Sequence, residues 1–365
     1  MAKGTFTCRA PLVIQGKNRP NDEIRSYSAL VTGAGGCIGR CLVKRLVSEG
    51  LQVHALDVDG AALHRLLSVF PQRTVTAFHG SLGNTEMLRK ACDGVQAVFH
   101  SAAKVHSIPR NAREEAEFFE VNVSGTENLL RACPVQGLRA FIFFSTIAVY
   151  GTGDGSPLTE STPLNPENSY ARSKLEGERR VTEFFEQGAV HPTIFRMALV
   201  YGEGERGNFS RMMRGVDTGR FLLVGNGATL KSLIYVEDVV TAALTAARSV
   251  AAQGQVFVLS DPQPYPLRQV VETLACHLGV RSPRIRLPLW LARSGAAVLD
   301  ALGRGLGFRP PFTRADVEKL MTDTVCDVSK IRSVLGFHSE YGLEEGVRRT
   351  VQWYREEQAR QKGNR

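Results

Sequence analysis

No group of cysteines and histidines in this 365-residue chain stands at metal-ligand spacing. The seven cysteines (Cys8, Cys37, Cys41, Cys92, Cys133, Cys276, Cys326) are odd in number and scattered. That pattern builds neither a disulfide framework nor a zinc cluster, so no metal is expected. Unpaired thiols of this kind point to a reducing, cytoplasmic setting. No apolar run approaches the roughly 18 residues of a membrane span. Near the N-terminus the apolar stretch runs only from Pro11 to Ile14, too short for a signal-peptide core, and residues 1–25 read as a flexible extension. The chain also lacks a long basic run with interleaved aromatics. Its net charge of +9 is spread along its length, which argues against nucleic acid as partner. The charge remains compatible with a phosphorylated small substrate or an anionic membrane surface.

What is present is alternation. Short apolar, β-branched runs (28–32, 53–57, 75–79, 97–101, 140–145, 193–197, 255–260) are separated by helix-length amphipathic stretches. One long helix is expected around Glu114–Cys133 and another from Ser169 to Gln187, with further helices at Phe209–Thr218 and Val236–Val250. Strands alternating with helices predict right-handed βαβ units. Continuous apolar runs suit parallel strands covered on both faces. The expected fold class is α/β, a doubly wound, Rossmann-like parallel sheet with a smaller, mostly helical substrate lobe. Residues 26–200 plus 236–261 form the dinucleotide-binding domain, 201–235 plus 262–356 the lobe, and 357–365 a charged tail.

The first strand runs into Thr32-Gly33-Ala34-Gly35-Gly36-Cys37-Ile38-Gly39 and then a helix. Free backbone N–H groups and the helix dipole can hold a phosphate there. Gly33 permits the tight turn, Gly36 lets the backbone approach a pyrophosphate, and Gly39 lets helix pack on strand. The second strand ends at Asp57, suited to accept hydrogen bonds from an adenosine ribose. A carboxylate there repels a 2′-phosphate and no Arg follows it, which favours NAD over NADP.

Tyr170 and Lys174 lie four apart at the start of a predicted helix and so share a face. A cation beside a phenol stabilises its anion, which makes Tyr170 a usable acid or base. Ahead of them lies Phe144-Ser145-Thr146-Ile147-Ala148-Val149-Tyr150-Gly151, placing hydroxyls at a strand's C-terminal end, where α/β crevices form.

These segments, with HSAAK (100–104), VNVSGT (121–126), FRMALVYGEG (195–204) and SLIYVEDVV (232–240), occur in an order that resembles the extended short-chain dehydrogenase/reductase family, its NAD-dependent epimerase/dehydratase group. The resemblance spans roughly residues 28–355. It implies that Tyr170 is the acid/base and Lys174 its pKa-lowering, ribose-binding partner. Thr146 takes the place of the family's catalytic Ser or Thr, with Ser145 as the alternative. Cofactor contacts are implied at Gly33, Gly36, Cys37, Ile38, Gly39, Asp57, Ser81, Leu82, Ala102, Ala103, Lys104 and Asn122, as well as at Tyr170 and Lys174. Substrate contacts are implied at Lys104, Thr146, Asn208 and Lys231, the last two on a diphosphate. Some positions depart from the family pattern: Ser81 replaces an Asp near the adenine, Met197 a Pro, and Leu199 an Asn that meets the diphosphate. Ile147 and Ala148 replace the acid/base pair of 4,6-dehydratases.

The implied function is hydride transfer at a secondary alcohol or ketone, on a nucleotide sugar such as a UDP-sugar. The alternatives are a 3β-hydroxysteroid- or 3-oxoacyl-type dehydrogenase with an apolar substrate, and a non-catalytic NAD(P)-binding regulator. A homodimer through the helices at Glu114–Cys133 and Tyr170–Gln187 is implied as well. The stretch Leu287–Gly307 is too interrupted by Arg293, Asp300 and Arg304 to span a membrane. It reads as an amphipathic helix covering the lobe, with peripheral membrane contact as the alternative.

Overall fold

The computed structural model describes residues 28–70, 74–105, 109, 111–134, 136–186, 188, 190–283, 286–306 and 314–363. The expected extension 1–25 lies outside them. Strands β1 (Ser28–Thr32), β2 (Gln52–Asp57), β3 (Val75–His79), β4 (Ala97–His100), β5 (Ala140–Thr146) and β6 (Thr193–Met197) join Val256–Leu259 in one seven-stranded sheet. Every pairing in it is parallel. The order is Val256–Leu259, β6, β5, β4, β1, β2, β3. It reverses direction between β1 and β4, so the loops leaving these two strands diverge and open a crevice at their C-terminal ends.

Successive strand residues feed opposite cores, which explains the continuous apolar runs. Ala29 and Val31 join one cluster with Leu42 and Leu46 of α1 (Cys37–Ser48), while Leu30 joins the other with Leu88, Leu129 and Val181. Helices α2 (Gly60–Leu67) and α3 (Thr85–Cys92) follow β2 and β3, each begun by a side-chain cap, Asp59 and Asn84.

The long helix expected at Glu114–Cys133 is not a single α-helix. α4 (Ala112–Phe119) passes through one π-helical stretch, Glu120–Ser124, into α5 (Gly125–Ala132). Asn122 sits in the widened turn, and its side chain is spent on the loop after β4. α6 (Ser169–Phe185) begins at an Asn168 cap, whose side chain accepts from Ala171 N at 2.9 Å.

The remaining segments interleave. Leu199–Tyr201 pairs with Leu233–Tyr235, Leu230–Lys231 with Tyr265–Pro266, and Leu223–Val224 with Arg286–Leu287. Around these short pairs lie α7 (Asn208–Asp217), α8 (Val236–Ala247), α9 (Leu267–Leu278) and α10 (Leu289–Leu306). The last helix, Leu343–Gly363, continues through most of the stretch read as a tail.

Candidate active site

A cleft of about 1660 Å³ opens over the C-terminal ends of β1, β4 and β5. Of the residues assigned to a site from sequence, all line it except Asn122 and Lys231.

Its floor is the Gly-rich loop. Gly33 has φ +69°, and a Cβ there would meet Ala102 N at 2.8 Å, so the loops after β1 and β4 touch backbone to backbone. A Cβ on Gly39 would lie 2.0 Å from Gly33 O, so α1 packs directly on the turn. Asp57 is 9% exposed and held by two amides: Gly35 N donates to one carboxylate oxygen at 2.7 Å, Asp59 N to the other at 2.8 Å. Each oxygen keeps an acceptor lone pair for a hydroxyl in the cleft. Ser81 and Leu82 form the wall beyond β3, and burial pushes the Cys37 thiol up, which keeps it a neutral lining group.

Behind the floor runs a hydrogen-bond chain that sequence reading missed. Ala102 N donates to Thr32 Oγ1 at 3.2 Å, and Thr32 meets His100 Nδ1 at 2.7 Å. His100 Nε2 meets Thr126 Oγ1 at 2.9 Å, and Thr126 donates to Asn122 O at 2.8 Å. Because Thr126 spends its proton on a carbonyl, His100 must carry its proton on Nε2 and accept from Thr32. Burial, with Lys174 nearby, holds His100 down at about 3, so the ring is neutral. The signal was a histidine ending an otherwise apolar strand. Asn122 sits within this scaffold, 1% exposed. Its Oδ1 accepts from Lys104 N at 2.7 Å and its Nδ2 donates to Ser173 Oγ at 2.9 Å. It fixes the loop and α6 rather than lining the cleft. Lys104 contributes backbone, since its ammonium pairs with Glu117.

On β5 the two hydroxyls separate. Ser145 is 1% exposed and donates to Glu178, which also holds Arg196 at 2.7 Å in a buried ion pair. Thr146 lines the cleft beside Tyr170. Burial pushes the Tyr170 hydroxyl up to about 12, with the Thr146 hydroxyl opposing. Burial likewise pulls Lys174 down to about 7, with Glu178 opposing, and the ammonium lies 4.1 Å from the centre of the Phe143 ring. In the protein's own field, desolvation outweighs the phenolate stabilisation expected from the Tyr–Lys spacing.

At the far end, Asn208 in the first turn of α7 and Arg211 both face the cleft. Glu205 accepts from Ser210 N at 2.7 Å and so occupies part of that helix N-terminus. Arg206 instead pairs with Asp59 at 3.5 Å. Lys231 lies off the wall: its ammonium donates to Thr322 O at 2.7 Å, although the neighbouring Thr324 does line the cleft.

Comparisons with known proteins agree with this geometry. The family model for the NAD dependent epimerase/dehydratase family matches residues 29–260. The chain is 28% identical over 328 residues to the N-acetyl-alpha-D-glucosaminyl-diphospho-ditrans,octacis-undecaprenol 4-epimerase of Escherichia coli O157:H7, covering 89% of this chain and 95% of that one. It is 27% identical over 337 residues to a 2-alkyl-3-oxoalkanoate reductase of Shewanella oneidensis, covering 88% and 84%. Among solved structures it is similar to MoeE5 in complex with UDP-glucose and NAD, with a TM-score of 0.70 and 26% identity over 91% of this chain and 99% of that one. Sheet order, glycine loop and family match together make this chain a member of the NAD-dependent epimerase/dehydratase family, an enzyme of the extended short-chain dehydrogenase/reductase type.

Proposed function

We propose that the chain is an NAD-dependent 4-epimerase or oxidoreductase acting on a diphosphate-linked sugar such as a UDP-sugar. The observation that carries the reading is the continuity of one large cleft from Asp57 and the Gly33 turn, past Thr146 and Tyr170, to Asn208 and Arg211. That volume exceeds the roughly 300–1,000 Å³ of an ordinary small-ligand pocket and suits a dinucleotide and a second extended ligand together. The contact between Gly33 and Ala102, which any side chain would block, fits a pyrophosphate laid along the backbone. Asp57 fits an unphosphorylated ribose, which favours NAD over NADP. Lys174 would hold the second ribose.

When bound, the nicotinamide supplies a centre that takes hydride from the sugar carbon and returns it. The chain's residues handle the proton. Thr146 donates a hydrogen bond to the reacting oxygen, and Tyr170 takes that oxygen's proton as the carbonyl forms, then returns it on reduction. Tyr170, held up at about 12, is poised to give the proton back. Taking it requires positive charge beside the ring, the role proposed for Lys174. Asn208 and Arg211 would meet the diphosphate; Lys231, tied to Thr322, would have to release that bond to join them. The E. coli relative's substrate name, a sugar on a lipid diphosphate, supports the same recognition chemistry with a different carrier. The second reading, an apolar 3-oxo substrate, is favoured by Leu199 in the cleft wall and by the oxoalkanoate reductase relative.

The test is incubation with NAD and a panel of UDP-sugars and polyprenyl-diphosphate sugars, with products read by NMR. Inverted sugar without net reduced nicotinamide is the result expected of an epimerase, and stoichiometric reduced nicotinamide that of a dehydrogenase. Turnover only of 3-oxoacyl compounds or steroids would overturn the sugar reading.

A further inference from the structure

We infer that the exposed face of α10 is a docking surface for an anionic lipid bilayer, on which this enzyme sits peripherally. The inference concerns where the protein works and is independent of which substrate it turns over. α10 turns its small residues and the partly buried Leu289 toward the lobe. It buries the small residues Ala292 and Ala296, at 5% and 2% exposure, against Val224 and Val317. It leaves Trp290, Leu291 and Val298 at 68%, 44% and 58% exposure. At 100° per residue, Trp290, Ser294, Val298, Leu291 and Ala301 fall within an arc of about 100°. A helix used only to cover its own lobe would turn the large residues inward. Leu222, 49% exposed, precedes the strand paired with Arg286–Leu287, which leads into α10.

The charge carried by this stretch of sequence points to the partner. Residues 281–306 carry Arg281, Arg284, Arg286, Arg293 and Arg304 against Asp300 alone. Arg281 is exposed, as is Arg220, two residues before Leu222. Arg293 pairs with Glu318 at 2.8 Å. An apolar stripe with an interfacial tryptophan and an arginine excess is the pattern of helices lying in the headgroup region of anionic membranes. Among the described residues no helix is long and apolar enough to cross a membrane, so the surface docks rather than inserts. The following helix, Arg314–Met321, packs on α10 and leads to Thr324 in the cleft wall, so the docking face and the active site belong to one lobe.

The test is co-sedimentation of the full chain with phosphatidylcholine vesicles containing or lacking phosphatidylglycerol, at low and high salt. Binding is expected only to the anionic vesicles, weakened by salt, and reduced on the order of tenfold or more by the combined Trp290→Ser, Leu291→Ser and Val298→Ser substitutions. In the unsubstituted enzyme, Trp290 emission is expected to shift to the blue on adding anionic vesicles. That readout stands even if the triple variant folds poorly. Absence of binding, binding unchanged by a folded triple variant, or a dimer that the triple variant converts to monomer would each overturn the inference; the last would mean that a second copy covers the face.

Discussion

Replacing Lys174 with methionine should stabilise the protein while abolishing its chemistry. Lys174 is 2% exposed and its pKa falls from the ordinary 10.5 to about 7. At about 1.36 kcal/mol for each factor of ten, keeping this lysine charged in the fold costs about 5 kcal/mol relative to the unfolded chain. Relaxation around a buried charge recovers part of such a cost, so a gain of about 2–4 kcal/mol is expected from Lys174→Met near pH 7. The sign of the pH dependence follows from linkage. Between pH 7 and 10.5 the unfolded chain binds the proton that the folded one has lost, so wild-type stability rises with pH through this window. The variant has no such group. Its advantage should be full at or below pH 7 and mostly gone by pH 10. Parallel urea denaturation of the two nucleotide-stripped proteins at pH 7 and pH 9.5 measures both quantities. A variant no more stable than wild type, or a difference independent of pH, would refute the reasoning.

The two hydroxyls of β5 should separate cleanly: Thr146→Ala is expected to lower kcat by about 10²-fold or more with little change in melting temperature. Ser145→Ala should cost about 1–3 kcal/mol of stability through Glu178 and leave the pH profile unchanged. Glu178→Ala strands the buried Arg196 guanidinium, and chemical denaturation should register a loss of about 3–5 kcal/mol. Gly39→Ala places a methyl 2.0 Å from Gly33 O; calorimetry should find NAD binding lost or severely weakened, because the turn must move.

The sheet was legible in the sequence because its inner strands, such as β1, β5 and β6, are covered on both faces and therefore apolar, whereas β3 at the edge is largely exposed. The glycine turn was legible because its requirements are local: φ at Gly33 and close contact at Gly39 exclude other residues whatever the rest of the fold does. Lys231 was less so. Its sequence position predicted a cation at a diphosphate, but its ammonium answers to Thr322, a partner 91 residues away. The π-helical stretch at Glu120–Ser124 was invisible for the same reason, since Asn122 is recruited there by the backbone of Lys104 and by Ser173. Apolar periodicity marked α10 as amphipathic but carried no information about which face the small residues would claim. His100 went unassigned because a lone histidine in an apolar strand states no partner until Thr32 and Thr126 are brought to it.

That histidine has a practical use. Its proton is confined to one nitrogen by neighbours from two different elements behind the cleft: Thr32, which also holds Ala102 N, at the end of β1, and Thr126, which is bonded to Asn122 O, on the helix behind. A ligand that shifted one element against the other would change a bond to the same imidazole. Because the ring stays neutral across the working pH range, its nitrogen resonances carry no titration to confuse the reading. His100 is thus an internal strain gauge, able to register a change of spacing between β1 and that helix on a ligand whose identity need not be known beforehand.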